Sequence, residues 1–392
     1  MDAKQVGKRI LLVSASIGGG HVAAARALET SFKGEGVQVT HIDLLDYTSL
    51  PFRRFYRQAY FDLVRTAPEF VDWLGTRLDR HPSETQSRQR KLRARATRLI
   101  SYHLPRLIKR YSPDAIVHTH FLAPEILSTK LMPDLLRLGS EKRIPQYVVI
   151  TDFFAHSLWI QPNVEKYFVA TEEISVHLQS LGIEDTRVCI SGIPINPVFQ
   201  KLEAKTLARQ MLGYHPDKDL LLFMASGLDY RTLEPLIKQL RQLKWPLMTV
   251  IVCGRSAELE ARLGNLVAGA NELVQFEVMG YRDDIPRLMA AADLFVGKPG
   301  GLTTSEALAA SLPFAIVQPY PLQEEANTNY LLEIGAAFRI EPSSTFNYKL
   351  KRFFETHELR QQMTQAARQH SRPEAAHIIT ETVLNDALNQ FK

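Results

Sequence analysis

Short apolar runs alternate with amphipathic segments along most of the chain. The runs are bounded by glycine, proline or small polar residues, and the segments between them carry apolar residues at helical spacing. This alternation predicts parallel strands joined by helices in doubly wound sheets. The strand-like runs are RILLVSAS, VQVTHIDL, DAIVHTH, PQYVVIT, KYFVAT and RVCISG in the first half, and DLLLFMAS, LMTVIVCG, LVQFEVMG, DLFVGK and PFAIVQP in the second.

The alternation restarts after GIPINPVFQKLEAKTLARQMLG, a stretch punctuated by proline and followed by a helical pattern. Such a stretch is typical of a linker. A chain of 392 residues also exceeds what one hydrophobic core usually supports. We therefore predict an α/β protein with two Rossmann-like, doubly wound domains that face a cleft.

The composition, 45% hydrophobic and 23% charged, is that of an ordinary globular protein. The apolar run near the N-terminus is short and leads into a glycine turn, which does not fit a secretion signal. No run reaches the roughly 18 to 20 apolar residues of a membrane span. Cys189 and Cys253 lie in apolar runs, where we expect buried free thiols. The sequence therefore predicts a cytoplasmic protein that is soluble or peripheral to a membrane.

Basic residues are concentrated between Pro51 and Arg110. This segment contains 15 Lys and Arg against 5 Asp and Glu, a local charge of +10, whereas the whole chain carries +5. It is either a core-packed helix with a solvated basic face or a surface that meets anionic lipid headgroups. Nucleic acid is not expected as a partner, because no known binding module accompanies the charge. The apolar stripe of its second half consists of Leu92, Ala96, Leu99, Ile100, Leu107 and Ile108.

The stretch SASIGGGHVAAARAL joins the first apolar run to a helical pattern. It lacks the G-x-G-x-x-G spacing of a dinucleotide fingerprint and the G-K-[ST] ending of a P-loop. Adjacent glycines allow another molecule to approach the backbone next to helix N-terminal amides. His21 follows them, and an imidazole there can act as general base toward an acceptor hydroxyl. A histidine at a helix start is more often a solvated or capping residue, but the glycine context favours the base.

A second glycine turn lies in DLFVGKPGGLTTSEALAA, where we predict that a strand ends at Lys298 and a helix begins near Thr303. The amides of this turn and the hydroxyls of Thr303, Thr304 and Ser305 would bind a pyrophosphate. Glu306 would then accept hydrogen bonds from a ribose diol, or else it caps the helix start.

The stretch QPYPLQEEANTNY follows the next apolar run. We predict a loop in which Gln323, Glu324, Glu325 and Asn327 present the donors and acceptors that hexose hydroxyls require. Such a loop could equally be a solvated connection, but its place after the diphosphate turn favours a sugar pocket. One D-x-D sequence, at 217–219, is interpreted as a turn before a strand rather than as a metal site.

The chain resembles glycosyltransferase family 28, in particular the group that contains monogalactosyldiacylglycerol synthase and the processive diacylglycerol glucosyltransferases. The peptidoglycan lipid-linked GlcNAc transferase is a more distant relative. The resemblance covers most of the chain, and its specificity lies in the order of its motifs. These are SASIGGGHVAAARAL, VVITDFFAHSLWIQPNVEKYFVATEE, SGIPINPVF, VCGR, GYRDDIPRLMAAADLFVGKPGGLTTSEALA and PLQEEANTNYLLEIGAA.

The resemblance implies a GT-B fold and an inverting hexose transfer from a UDP-sugar that needs no metal. It implies an N-terminal acceptor and membrane-docking domain over 1–198, a UDP-sugar domain over 199–370 and a C-terminal helix, 371–392, that crosses back. The expected acceptor is diacylglycerol, and the expected location is the inner face of the cell membrane.

Site residues are carried over by position. His21 would be the general base, and Glu306 would bind the ribose. The diphosphate would be held by Gly300, Gly301, Thr303 and Thr304, the uracil by the backbone at Tyr281 and Arg282, and the hexose by Gln323 and Glu324. The acceptor side would comprise Gly19, Gly20, Asp152, His156 and Trp159, and the docking helix would present Arg90, Lys91, Arg93 and Arg95 to anionic lipid.

The sequence departs from the family pattern at two places in the predicted donor site. FMASGLDYRTLEPL replaces the usual glycine-rich loop that opens the second domain, and Leu322 replaces the glycine of P-G-Q-E. The alternatives are a UDP-GlcNAc-type transferase with another lipid acceptor, an enzyme like the UDP-sugar 2-epimerases, or a degenerate transferase that only senses its ligands. The basic segment argues against the epimerase, and the presence of His21, Glu306 and Gln323 argues against the sensor.

Overall fold

The structure is a computed structural model, and it describes residues 7–50, 53, 104–127, 137–138, 142–270, 273–341 and 343–389. The chain divides into two compact units. The first comprises Met1–Pro197, Pro321–Gln323 and Pro373–Lys392, and the second comprises Val198–Tyr320 and Glu324–Arg372. Arg90, Lys91, Arg93 and Arg95, with most of the basic segment, lie outside the described residues.

Fourteen strands and thirteen α-helices are formed by the described residues. The strands are β1 (Arg9–Ser14), β2 (Gln38–Asp43), β3 (Ala115–His118), β4 (Arg137–Leu138), β5 (Lys142–Arg143), β6 (Gln146–Val149), β7 (Lys166–Val169), β8 (Val188–Ile190), β9 (Asp219–Met224), β10 (Leu247–Val252), β11 (Val274–Met279), β12 (Leu294–Gly297), β13 (Phe314–Ile316) and β14 (Ala337–Arg339). The helices are α1 (Gly20–Gly34), α2 (Leu104–Tyr111), α3 (Leu122–Leu127), α4 (Glu172–Ser180), α5 (Lys205–Leu212), α6 (Tyr230–Leu240), α7 (Ala257–Val267), α8 (Ile285–Ala291), α9 (Gly301–Ala309), α10 (Gln323–Glu333), α11 (Phe346–Glu355), α12 (His357–Gln369) and α13 (Ala375–Asn389).

The first unit contains a six-stranded parallel sheet in the order β2-β1-β3-β6-β7-β8. Its central strands are apolar on both faces, as sheets covered on both sides require. One face packs under α2 and α3, and the other packs under α1 and α13. The C-terminal helix α13 is bonded to α1, since the Thr380 hydroxyl lies 2.9 Å from the Ser31 hydroxyl.

The second unit contains another six-stranded parallel sheet, in the order β11-β10-β9-β12-β13-β14. This is the strand order of a Rossmann domain, in which ligands bind beyond the carboxyl ends of the strands where the order reverses. In the first sheet the order reverses between β1 and β3, and in the second it reverses between β9 and β12. These two positions are therefore where a site is expected in each unit.

A buried ion network lies at the amino ends of the strands in the second sheet, opposite the carboxyl ends where a site is expected. The Asp293 carboxylate, 8% exposed, accepts hydrogen bonds from Arg209 at 2.6 Å and Lys205 at 2.9 Å. It also accepts from the Leu220 N–H at 2.8 Å and from Arg360 at 3.3 Å. Burial acts to raise the pKa of this carboxyl, but the surrounding cations and the Leu220 N–H hold it below its usual value. The network joins α5, β9, β12 and α12.

The predicted doubly wound α/β architecture is confirmed, and all eleven predicted runs form strands. Strands β4, β5 and β14 were not predicted, because two or three residues are too few to show a pattern. The predicted loop over Gln323 to Asn327 is wrong: these residues begin α10. Helix α9 begins at Gly301, two residues before the predicted start, and β12 ends at Gly297.

Three further predictions can be compared with the structure. Leu107 and Ile108 of the apolar stripe are buried in α2, as in a core-packed helix. Cys253 is a buried free thiol, but Cys189 is only half-buried, because β8 is the edge strand of its sheet. None of the helices in the described parts of the chain is long and apolar enough to cross a membrane.

Candidate active site

The first glycine turn, which precedes His21, follows the carboxyl end of β1 in the first unit. Gly18 has φ = +78°, a left-handed conformation that glycine adopts without steric cost. Gly19 is the N-cap residue of α1, which begins at Gly20, and its first turn has neither a side-chain cap nor an acidic residue. The turn therefore leaves helix amides open next to His21, the second residue of α1.

Three strands contribute to the position of His21. Its Nδ1 lies 2.9 Å from the carbonyl oxygen of Thr119, which follows β3, and 2.8 Å from the hydroxyl of Thr151, which follows β6. The Thr119 hydroxyl donates to the His21 carbonyl at 2.8 Å. Because a carbonyl can only accept, Nδ1 carries the proton and Nε2 holds the lone pair of the neutral ring. Among the described residues, nothing hydrogen-bonds to Nε2.

Burial lowers the pKa of His21 to about 4, against the smaller raising effect of the Thr119 carbonyl. The ring is therefore neutral at pH 7. A neutral imidazole with Nδ1 fixed as donor presents Nε2 as a proton acceptor, which is the state that a general base requires.

Aromatic rings surround His21. The His120 ring lies edge-on at 4.7 Å between centroids, and Trp159 lies at 6.3 Å. Phe121 stacks on His120 at 4.3 Å, and His156 lies 5.9 Å from Trp159. The His120 Nδ1 accepts from the Leu122 N–H, so its proton is on Nε2. Trp159 is almost fully buried, so it shapes the wall of this site.

Of the acceptor-side residues predicted from the sequence, Trp159 lies beside His21, and His156 lies beside Trp159. Asp152 is half-buried and follows Thr151 directly in the chain. Sequence reasoning missed Thr119, Thr151 and His120. Their signal was their place at the carboxyl ends of the strand-like runs DAIVHTH and PQYVVIT, because the carboxyl ends of neighbouring parallel strands converge.

The second glycine turn, which the sequence predicts to bind the diphosphate, follows β12 in the second unit. Gly300 is the N-cap residue of α9, with no side-chain cap and no acidic residue in the first turn. Asn327 is buried and donates to the Pro299 carbonyl at 2.9 Å, which fixes the turn. An open helix N-terminus on a fixed turn favours an anion.

The three hydroxyls predicted for this turn are not equivalent. The Ser305 hydroxyl donates to the Gly301 carbonyl at 2.9 Å within the helix, and Thr304 is fully buried with no hydrogen bond to its Oγ1 from any described residue. Thr303 remains half-buried. Of these hydroxyls, Thr303 is thus the one left accessible, because the helix turns Thr304 inward.

Glu306 lies on the second turn of α9 and is half-buried. Burial raises the pKa of its carboxyl to about 7. Within the described part of the chain, no group donates a hydrogen bond to its side-chain oxygens. A half-buried carboxyl without a donor carries a desolvation cost that a ligand hydroxyl pair would offset.

The predicted hexose residues separate into two groups. Asn327 and Glu325 are committed to the protein, Asn327 through Pro299 and Glu325 through two 2.9 Å hydrogen bonds from Arg339. Gln323 and Glu324 begin α10, and Glu324 accepts from the Tyr320 N–H at 2.6 Å. Leu322 has φ = +68°, a left-handed conformation that costs a residue with a side chain about 1–2 kcal/mol. The glycine that the P-G-Q-E motif has at this position would adopt the same conformation without that cost.

A cavity of about 420 Å³ opens between the loops after β9 and β10. The loop after β9 contains the MASGLDY sequence, which replaces the glycine-rich loop usual in the family, and it contributes Ser226 and Asp229 to the lining of the cavity. The loop after β10 contributes Arg255. The guanidinium of Arg255 lies 4.4 Å from the centre of the Tyr281 ring. The altered MASGLDY loop therefore still borders open space at the carboxyl edge of the sheet.

The predicted uracil stretch follows β11. The Tyr281 ring is 54% exposed, and the Arg282 guanidinium is held by two hydrogen bonds to Asp284, at 2.8 and 2.6 Å. That bidentate pair leaves the backbone of this stretch, rather than the Arg282 side chain, as the group that could meet a base.

Comparison with known proteins covers both units. The family model described as monogalactosyldiacylglycerol (MGDG) synthase matches residues 21–195, and that described as glycosyl transferases group 1 matches residues 204–370. A Bacillus subtilis protein named processive diacylglycerol beta-glucosyltransferase is 29% identical over 337 residues, which is 84% of this chain and 82% of the relative. The chain is a glycosyltransferase.

The glycosyltransferase also resembles solved structures over nearly its whole length. Acinetobacter baumannii MurG matches with a TM-score of 0.61 at 19% identity, covering 96% of this chain and 99% of that one. UDP-GlcNAc 2-epimerase from Neisseria meningitidis, bound to UDP-GlcNAc, matches with a TM-score of 0.58 at 12% identity, covering 96% and 100%. At these identities the likeness concerns the fold, which is GT-B as predicted.

Proposed function

We propose that this glycosyltransferase moves glucose or galactose from a UDP-sugar to diacylglycerol with inversion, making a β-glycosyl diacylglycerol. The observation that carries the proposal is the imidazole of His21, whose Nδ1 donates to the Thr119 carbonyl and whose Nε2 keeps its lone pair. It lies in the half of the chain that the MGDG synthase model matches. The name of the Bacillus subtilis relative supports both the acceptor and the β-linkage.

In the proposed reaction the acceptor hydroxyl gives its proton to Nε2 of His21. Its oxygen attacks the anomeric carbon from the face opposite UDP, and the bond between that carbon and the β-phosphate oxygen breaks. The electron pair of that bond leaves with UDP. The open amides at the start of α9 stabilise the charge that develops on the diphosphate.

The proposed transfer proceeds without a divalent metal ion. In the described ranges, no three His, Cys, Asp or Glu side chains converge as metal ligands do. Activity measured after exhaustive chelation and after addition of magnesium or manganese tests this point. Strict dependence on an added metal would contradict it.

A product assay tests the function. Purified protein is incubated with diacylglycerol in mixed anionic vesicles and with UDP-glucose, UDP-galactose or UDP-GlcNAc separately, and products are identified by mass and anomeric NMR. We expect a β-linked hexosyl diacylglycerol from UDP-glucose or UDP-galactose. Product from UDP-GlcNAc alone would identify the other transferase class, and bound donor without any turnover would identify a sensor.

The epimerase likeness gives a second candidate, because a UDP-GlcNAc 2-epimerase shares the fold. An epimerase changes UDP-GlcNAc without any acceptor, whereas a transferase consumes its donor at a rate that depends on diacylglycerol. The same assay without diacylglycerol separates them. Acceptor-independent conversion of UDP-GlcNAc would replace the proposed function.

The affinity for UDP-glucose is expected to fall as pH drops through about 7, because Glu306 is then protonated in the free protein. Ribose hydroxyls donate to the ionised carboxylate, so binding favours the charged form and releases a proton. Calorimetry between pH 5.5 and 7.5 measures this dependence, since UDP-glucose has no group that titrates in that range. Glu306→Gln should bind more weakly and show a flat profile, and a wild-type profile that is also flat would contradict the assignment.

We propose that the basic segment binds the anionic inner face of the cell membrane. Changing Arg90, Lys91, Arg93 and Arg95 to glutamine should weaken binding to anionic vesicles by at least about tenfold, since each basic residue contributes about 1 kcal/mol near such a surface. Sedimentation with vesicles at low and high salt measures the effect. The matched control neutralises the exposed residues Lys238, Lys244, Lys351 and Arg352. Equal effects of the two sets, or binding that ignores salt, would contradict it.

A further inference from the structure

Lys298 is a half-buried lysine that follows β12 directly and precedes the turn into α9. Its ammonium lies 2.9 Å from the centre of the Tyr320 ring. In the described part of the chain it makes no hydrogen bond and no ion pair. Lysine is seldom buried without a partner, because three N–H donors and a charge then lose their hydration.

Two carboxylates, each in the segment that follows a neighbouring strand, favour the charged form of this ammonium. Burial lowers the pKa of Lys298 to about 8, and the charges of Glu324 and Asp229 oppose that shift. Asp229 follows β9, and Glu324 follows β13, while Lys298 follows β12, which lies between those strands in the sheet. The cation therefore stands at the carboxyl edge where the strand order reverses.

The Asp229 carboxylate is not used as a helix cap. Asp229 is the N-cap residue of α6, but its side chain accepts no capping hydrogen bond. It belongs to the MASGLDY loop that replaces the family's glycine-rich loop. The loop thus brings a negative charge toward Lys298, where a glycine-rich loop would bring backbone amides.

We propose that Lys298 binds the β-phosphate of the donor and stabilises the negative charge that this phosphate gains as the bond to the sugar breaks. The proposal rests on the proposed function. The electron pair of the broken bond remains on the β-phosphate oxygen, so UDP leaves with one more negative charge than it carried in the sugar ester. Lys298 keeps its proton and acts as a fixed cation beside the amides of α9.

The groups around Lys298 also explain how its ammonium is stabilised when no donor is bound. Without a donor, the ring of Tyr320 and the charges of Glu324 and Asp229 stabilise the ammonium. A diphosphate offers oxygen acceptors that these groups do not supply in the described structure. Asp229 repels the same phosphate, so its charge limits how tightly the product UDP is held.

Binding of UDP and of uridine to the variant Lys298→Gln tests the proposal. Uridine has the base and ribose but no phosphate, so it reports on the rest of the site. We expect the Kd of UDP to rise about 10- to 100-fold, as for the loss of a charged hydrogen bond, and the Kd of uridine to stay unchanged. Lys298→Arg should recover most of the UDP affinity, and Asp229→Asn should bind UDP more tightly.

Turnover and pH provide further readouts. The kcat of Lys298→Gln should fall more than tenfold, because the charge on the leaving group is larger in the transition state than in the bound donor. In the wild type, UDP affinity should fall as pH rises through about 8, since the ammonium then loses its proton, whereas Lys298→Arg should keep its affinity. Lys244→Gln, an exposed lysine of the same unit, is the matched control and should change nothing.

The outcomes separate this inference from the proposed function. Equal weakening of UDP and uridine would mean that Lys298 only maintains the fold, and unchanged UDP affinity and kcat would reduce its role to stacking on Tyr320; either result overturns the proposal. A wild type that binds UDP more tightly than uridine through Lys298, yet glycosylates no diacylglycerol, would contradict the acceptor and leave the Lys298 site standing. A wild type that binds UDP no better than uridine would overturn both.

Discussion

Replacing His21 by alanine is expected to lower kcat by about 100-fold or more while leaving the Kd of UDP nearly unchanged. The loss follows from removing the group that accepts the hydroxyl proton, and general-base catalysis typically contributes that much. UDP affinity should survive, because His21 lies in the first unit, whereas the predicted diphosphate and ribose residues lie in the second. Initial rates with saturating donor and diacylglycerol, together with calorimetry of UDP, measure both quantities.

The pH profile gives an independent measure of the same residue. The base is active when neutral, and burial lowers the pKa of His21 to about 4, so the acid limb of kcat/KM for diacylglycerol should lie well below the ordinary histidine pKa of about 6.5. His377→Ala, an exposed histidine on α13, is the control and should behave as wild type. Full activity of His21→Ala would remove this histidine from the base role.

Replacing Asp293 by alanine is expected to lower the free energy of unfolding of the second unit by about 3–5 kcal/mol. The change leaves the Arg209 guanidinium, 4% exposed, without its 2.6 Å carboxylate partner, and an unpaired buried charge costs about this much. The same change removes the acceptor of Lys205, Arg360 and the Leu220 N–H. A thermal melt should show a midpoint lower by on the order of 10 °C.

The matched control for this variant is Asp217→Ala. Asp217 is exposed and belongs to the D-x-D sequence just before β9, so its loss should change stability by no more than about 0.5 kcal/mol. Asp293→Asn keeps the size of the side chain and removes the charge, and it should fall between the two. If Asp293→Ala melted with the wild type, the network would not hold α5, β9 and α12 together.

The alternation of apolar runs was enough to predict the architecture. Buried parallel strands need apolar residues on both faces, so each strand appears in the chain as a short continuous run. The runs RILLVSAS and DLLLFMAS became β1 and β9, strands that adjoin the points where the strand orders reverse. The ends of elements were predicted less well. Helix α9 was predicted to begin near Thr303 but begins at Gly301, because a glycine at the start of a helix cannot be told from a glycine in the preceding turn by sequence alone.

The sequence also predicted the candidate site residues at the two glycine turns. Glycines before a helix can be identified from letters alone, and His21 and Glu306 stand at fixed steps after them. The predicted loop from Gln323 to Asn327 was wrong for a tertiary reason. Asn327 is buried and bonds to the Pro299 carbonyl, 28 positions earlier, and the polarity that suggested a loop serves that contact.

The positions of the strands along the chain, the glycine turns and the family motifs were determined by the sequence itself, because each depends on residues that are near one another in the chain. The tautomer of His21, the burial of Thr304 and the isolation of the Lys298 ammonium were decided only by the tertiary structure. The tautomer depends on Thr119 and Thr151, and the surroundings of Lys298 depend on Tyr320; each of these residues is distant in the chain from the group that it contacts. Hydrogen-bond direction and desolvation arise from such meetings, and no local pattern in the sequence encodes them.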